Sequence, residues 1–198
     1  MPNIEKSIKQ REIPDTDWLT QYAKILEEAH GQILELGSGR GSDTGYLSEH
    51  GTVTAVDINP KALKELKEKH PTTTTLIADL GESWPLPDRT YSFILASLSL
   101  HYFSDAVTRQ CVNELKRVIK PDGTALLRFN STNDANYGAQ SDDEIEPNYY
   151  LVNGQPKRFF SKDALEDYFA DWHIEQLQET SIDRYLKNKV VWELVCRP

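Results

Sequence analysis

At 198 residues and 22.6 kDa the chain has the size of one domain, because a single hydrophobic core stops growing only beyond roughly 250–300 residues. Hydrophobic residues at 38% and charged residues at 27% supply a sizeable core and exclude a chain disordered throughout. The 22 Lys and Arg against 31 Asp and Glu leave a net charge of −9 and a pI near 5.1, the wrong sign for a protein that neutralises phosphates, so nucleic acid and acidic membranes are disfavoured partners.

The two cysteines, Cys111 and Cys196, form no Cys-x-x-Cys or Cys/His cluster, so neither a metal site nor a disulfide framework is expected. Residues 1–14 mix Glu, Lys and Arg with isolated isoleucines and lack the apolar core of a signal peptide. No window approaches the roughly 20 apolar residues that span a bilayer, and the expected location is the reducing cytoplasm.

Residues 17–29 place Leu19, Tyr22, Ala23, Leu26 and Ala29 at helical spacing, and His30-Gly31 stops them. A short apolar strand at 33–36, a helix at 43–50 and a strand at 52–56 make one βαβ unit. Asn59-Pro60 starts the next helix, with Leu63 and Leu66 on its buried stripe, and His70-Pro71 closes it. Strand three covers 74–78 and strand four 91–95, after the rigid turn Pro85-Leu86-Pro87-Asp88. Ser104 caps a long helix that turns Val107, Cys111, Leu115, Val118 and Ile119 to the sheet, and Lys120-Pro121-Asp122-Gly123 terminates it before strand five at 124–129.

From 129 to 156 there is no Lys or Arg, while Asp134, Asp142, Asp143, Glu144 and Glu146 accumulate. This reads as a long loop over the strand ends and makes 129–160 an acidic, lid-like insertion. Ser161 caps a last helix through Leu165, Tyr168 and Phe169, and 174–177 and 190–195 supply two final strands. The alternation predicts an α/β fold, a Rossmann-like three-layer sandwich whose mostly parallel sheet is covered on both faces, as one domain over 1–198 with an N-terminal segment and helix over 1–30.

The chemistry concentrates at the strand ends. Glu35-Leu36-Gly37-Ser38-Gly39-Arg40-Gly41 joins the first strand to the next helix, where glycines permit a tight turn and close approach of a ligand. After Gly37 and Gly39 the third position of a nicotinamide fingerprint is Ser42, and the glycine falls one residue early at Gly41, which departs from a pyrophosphate loop. Glu35 beside this turn disfavours a diphosphate and favours a ligand bearing an ammonium or sulfonium cation. Asp57 closes the second strand, where its carboxylate can accept from both ribose hydroxyls. Asp79 closes the third, placed to accept from an adenine amino group while the next backbone amide reaches a ring nitrogen.

With these marks the chain resembles the class I S-adenosylmethionine-dependent methyltransferases, in particular the small bacterial type 11 methyltransferase-domain group. Further marks are Val56-Asp57-Ile58, Ala78-Asp79-Leu80, Trp84-Pro85-Leu86-Pro87-Asp88 leading to Phe93-Ile94-Leu95-Ala96-Ser97, and Leu115-Lys116-Arg117-Val118-Ile119-Lys120-Pro121-Asp122-Gly123. The resemblance implies a seven-stranded sheet in order 3-2-1-4-5-7-6 with strand seven antiparallel. It implies that S-adenosylmethionine is held by Glu35, Gly37, Ser38, Gly39 and Gly41 at its methionyl part, by Asp57 and Ile58 at the ribose, by Asp79 and Leu80 at the adenine, and beside Ser97.

A sulfonium is an activated donor, so alignment of the acceptor and exclusion of water are the protein's main tasks, with a base where the acceptor must lose a proton. His101, after strand four, is the candidate base. Tyr46, Tyr102, Tyr137, Tyr149 and Tyr150 are candidates to line the acceptor pocket, and Arg128 and Arg158 to bind an acidic acceptor, against the alternatives of closing a core edge or pairing with the acidic segment. Trp18 and Tyr22 either cover the cofactor or pack on the sheet. The expected acceptor is a small molecule rather than nucleic acid. The rivals are a nicotinamide-dependent oxidoreductase, which Ser42 and Glu35 disfavour, and a cofactor-binding module acting through a partner.

Overall fold

The computed structural model describes residues 15–183 and 186–198, so the reading of residues 1–14 lies outside it. Seven strands form the main sheet: β1 (Gly31–Leu36), β2 (Gly51–Asp57), β3 (Thr74–Ile77), β4 (Tyr91–Ser97), β5 (Ile119–Asn130), β9 (His173–Ile182) and β10 (Lys189–Arg197). Their order is β3-β2-β1-β4-β5-β10-β9. The first five are parallel, and β10 runs antiparallel to both its neighbours, which is the expected order with β9 and β10 as strands six and seven.

Burial on both faces explains why the central strands read as continuous apolar runs. Along β1, β4 and β5, Ile33, Phe93, Leu95 and Leu126 face a layer containing Leu19, Tyr22, Leu26 and Leu47. Leu34, Ile94, Ala96 and Leu127 face the opposite layer, with Cys111, Leu115, Val118, Leu165 and Phe169. The first layer holds α1 (Ala23–Glu28), α2 (Thr44–His50) and α3 (Pro60–Lys69); the second holds α4 (Asp105–Val118) and α5 (Lys162–Tyr168). Three caps form as their residue types demand: Asn59 accepts from the Lys61 and Ala62 amides, Ser104 from Val107 and Ser161 from Ala164.

Three local expectations are corrected. Residues 17–29 are not one α-helix: a 3-10 helix covers Asp15–Tyr22 and α1 follows. The three-residue turn stacks Leu19 on Tyr22, and both are buried, so the apolar stripe survives the change of helix type. β5 begins at Ile119 rather than 124: Ile119 opposes Tyr91 and Thr124 opposes Phe93, so residues 120–123 loop out opposite Ser92 as a bulge within the strand.

The segment 129–156 is not one long loop. It contains β6 (Glu144–Glu146) and β7 (Tyr149–Val152), which with β8 (Gln155–Arg158) form a three-stranded antiparallel sheet. Asn153 and Gly154, with φ of 52° and 78°, make the two-residue turn between β7 and β8. Tyr150, Val152 and Phe159 bury against Ala139, which gives this small sheet its own apolar contact.

Candidate functional site

The parallel strands β3, β2, β1 and β4 end on one rim, so the acids and the serine that close them are brought together by topology alone. At the end of β1 the chain turns sharply, and the Gly37 and Ser38 amides both donate to the Val56 carbonyl, at 2.8 and 3.0 Å. Gly37, Gly39 and Gly41 all have positive φ, a region that costs L-residues energy. Their surroundings differ. A Cβ on Gly37 would lie 2.2 Å from Ser99 Cβ, and one on Gly41 would lie 2.8 Å from Leu66 Cγ, so both are required by packing. A Cβ on Gly39 would meet nothing within 4 Å, which leaves that side of the turn open to a ligand.

Glu35 is 3% exposed and accepts from Thr44 Oγ1 at 2.5 Å. Burial pushes its carboxyl up to about 8, the Thr44 bond opposes this, and the neighbouring Asp43 and Asp57 add to it. A buried acid in this condition suits a ligand cation that would let it ionise. The Ser38 hydroxyl is buried in the same turn with no hydrogen-bond partner among the described residues. Open space at Gly39, an unmatched carboxyl at Glu35 and an unpartnered Ser38 hydroxyl fit the amino-acid end of S-adenosylmethionine.

Asp57 ties the rim together: its Oδ2 accepts from the Gly39 amide and its Oδ1 from the Asn59 amide, both at 2.8 Å. Each oxygen keeps a further lone pair for a ribose hydroxyl. Ile58, next to it, is 62% exposed, an apolar surface left in solvent beside a polar turn. Asp79 accepts from the Gly81 amide at 2.8 Å, so it also serves its own turn. Leu80 is buried, and its carbonyl accepts from Trp84 Nε1 at 3.0 Å. Ser97, half-buried, closes β4 opposite Arg128.

His101 lies beyond β4, buried, with its Nδ1 unpartnered among the described residues. Burial holds its imidazole well below the ordinary histidine range, and the Lys189 and Lys157 charges push the same way, so the ring is neutral at neutral pH. Tyr102 packs its ring 4.1 Å from the His101 ring and remains 42% exposed.

Several pocket candidates have other tasks. Tyr149 donates its hydroxyl to the Tyr102 carbonyl at 2.9 Å. Arg158, expected to meet an acidic acceptor, is buried and donates to the Phe103 and Pro147 carbonyls and to Glu146, so its charge is matched within the acidic segment. Arg128 pairs with Glu193 directly across the β5–β10 ladder and lies 3.5 Å over the Trp18 ring. Trp18 and Tyr22 both pack in the layer against the sheet, where Tyr22 donates to Glu193 on β10 and Trp18 to Asp43 at the start of α2. Tyr46 sits at the core edge, 4.9 Å from the His50 ring, Tyr137 donates to the Lys187 carbonyl, and Tyr150 is buried in the insertion.

The sequence reading missed Thr44, Ser99 and Asn130. Thr44 holds Glu35, and Ser99 donates to the Leu36 carbonyl beneath Gly37. Asn130 is buried at the end of β5 with its side-chain oxygen unpartnered among the described residues. Only Asn130 carried a signal, a carboxamide closing an apolar strand.

Residues 33–123 match the family described as "Methyltransferase domain". An uncharacterized methyltransferase-like protein of Schizosaccharomyces pombe is 31% identical over 121 residues, covering 60% of this chain and 45% of the relative. The chain spans 26% to 45% of the length of several curated relatives, this one included. A protein of Staphylococcus carnosus named "Uncharacterized methyltransferase" is 23% identical over 203 residues, covering 96% of this chain and 92% of the relative. Among solved structures, an S-adenosylmethionine-dependent methyltransferase from Mesorhizobium loti superposes with a TM-score of 0.74 at 20% identity, over 92% of this chain and 98% of that one, which establishes a shared fold.

Proposed function

We propose that the chain, whose residues 33–123 match the methyltransferase-domain family, is a class I S-adenosylmethionine-dependent methyltransferase that transfers a methyl group to a small-molecule O, N or S nucleophile by direct displacement. The observation that carries this reading is the single rim on which Glu35, Asp57 and Asp79 surround a glycine turn left open at Gly39. When bound, S-adenosylmethionine supplies an already activated methyl group. Glu35 and the 37–41 backbone would hold its amino-acid end, Asp57 with Ile58 the ribose, Asp79 with Leu80 the adenine, and Ser97 would lie alongside.

The chain's remaining task is to align the acceptor and exclude water. Residues 129–160 serve as the lid that does the second. His101 takes the acceptor's proton: its buried ring follows β4, and its Nδ1 has no hydrogen-bond partner among the described residues. The net charge of −9 and the absence of Lys and Arg from 129–156 support a small acceptor over a polyanion.

The test is transfer from methyl-labelled S-adenosylmethionine into separated metabolite, RNA and protein fractions of a cell extract. Label is expected in the metabolite fraction. Label confined to RNA or protein overturns the small acceptor, and no label anywhere overturns the enzyme. With the acceptor in hand, His101→Ala should lower kcat by about 10²–10⁴-fold while cofactor affinity stays within about twofold. A loss below about tenfold would leave catalysis to alignment alone.

A further inference from the structure

The insertion grips the connection between β4 and the start of α4 at four points. The Arg158 amide donates to the His101 carbonyl at 2.7 Å, and the Tyr149 hydroxyl donates to the Tyr102 carbonyl at 2.9 Å. Arg158 Nε donates to the Phe103 carbonyl at 3.0 Å, and the Asp105 amide donates to Glu146 at 2.9 Å. Arg158 is the hub of these contacts. Its guanidinium also pairs with Glu146, donates to the Pro147 carbonyl at 3.3 Å and lies 4.8 Å over the Tyr149 ring.

A buried guanidinium is costly unless its donors are met, so this arrangement needs a reason. Holding the small sheet together would require only Glu146 and Pro147. The guanidinium's bond to Phe103 reaches outside that sheet, beside the backbone bond to His101, to the connection that carries the candidate base. That connection also starts under strain: Leu98 has a φ of +56°, uncommon for a side chain of its size, and strained backbone persists only where its surroundings over-determine it. His101 Nδ1 has no partner among the described residues, so that nitrogen does not anchor the ring.

We infer that Arg158 is a positioning residue: with Tyr149 it clamps the β4–α4 connection from the insertion and so fixes the place of the His101 imidazole. The inference rests on the reading of His101 as the acceptor's base, and it changes the meaning of the acidic insertion, which then braces the site as well as covering it.

The experiment is a magnetic-resonance titration of the His101 ring in the full chain, with amide exchange across residues 102–105. The variants are Arg158→Met, Arg158→Lys and Tyr149→Phe. In the unaltered protein burial, with the Lys189 and Lys157 charges, keeps the ring, which packs on Tyr102, from taking a proton. In Arg158→Met it should titrate close to the ordinary histidine range, and the 102–105 amides should exchange roughly tenfold faster or more. Affinity for S-adenosylhomocysteine should stay within about twofold, since none of the clamp's hydrogen bonds involves the glycine turn, Asp57 or Asp79. Arg158→Lys, which keeps the Glu146 pair but lacks the planar fork, should recover part of the protection. Tyr149→Phe should shift both readouts in the same direction by less, and it decides the matter alone if Arg158→Met does not fold. Unchanged titration and exchange in both Arg158→Met and Tyr149→Phe overturn the inference. If they loosen the connection while His101→Ala transfers methyl at full rate, the clamp stands and the base reading falls.

Discussion

Glu35 concentrates the site's electrostatics in one carboxyl. Burial raises it from 4.5 to about 8, so at neutral pH the folded protein keeps a proton that the unfolded chain has released. The sign follows directly: stability falls as pH rises from 4.5 to about 8 and levels off above, because over that window the native state binds more protons than the unfolded one. A ligand ammonium reverses the balance by favouring the carboxylate, so binding should expel that proton. Calorimetric titration with S-adenosylhomocysteine near pH 7, in two buffers of different ionisation enthalpy, should register close to one proton released. The α-amino group of the ligand is that of a free amino acid and is already protonated at pH 7, so its own contribution stays small there. Glu35→Gln should release none, should flatten the stability slope, and should weaken binding by about 1.5–3 kcal/mol, the range for hydrogen bonds to a charged group.

The glycine turn separates fold from function within five residues. Gly37→Ala forces a Cβ onto Ser99 and a left-handed backbone on an L-residue, so it should cost roughly 2–5 kcal/mol in urea unfolding. Gly39→Ala meets open space, so it should cost about 1–2 kcal/mol for its backbone alone. Its methyl group nevertheless occupies the ligand's approach, and cofactor affinity should fall at least tenfold. Elements like this turn were legible because local chemistry dictates them: glycines at a strand end, Asn59, Ser104 and Ser161 at helix starts, and apolar runs in central strands. The insertion was harder to read because acidic composition masked its pattern. Its hairpin did carry a local signal, Asn153-Gly154 between Tyr-Tyr-Leu-Val and a polar strand, while Arg158 gave no hint that it would be buried. Which partner an arginine meets is decided by contacts remote in sequence, as Arg128 with Glu193 also shows.

At the scale of the whole molecule, that buried pair joins the N-terminal layer to the sheet. Glu193 on β10 faces Arg128 on β5, accepts from Tyr22 at 2.7 Å and from Gln178 at 3.0 Å, while the Arg128 guanidinium lies over Trp18. Removing one partner leaves a buried charge uncompensated, so Glu193→Ala should destabilise by about 3–5 kcal/mol in thermal unfolding. The double replacement Arg128→Met with Glu193→Leu should cost clearly less than Glu193→Ala, since it buries no lone charge. The order of the strands around this pair also sets a timetable for synthesis. β10 follows β9 in the chain yet lies between β9 and β5, so the outer edge of β5 over 125–130 has no ladder partner until Lys189–Arg197 has been made and has turned back. At about 5–20 residues per second, several seconds separate the appearance of that edge from the arrival of the strand that covers it. During that interval a nascent chain displays an apolar, unpaired strand to its neighbours, and a message truncated before Lys189 would display it permanently.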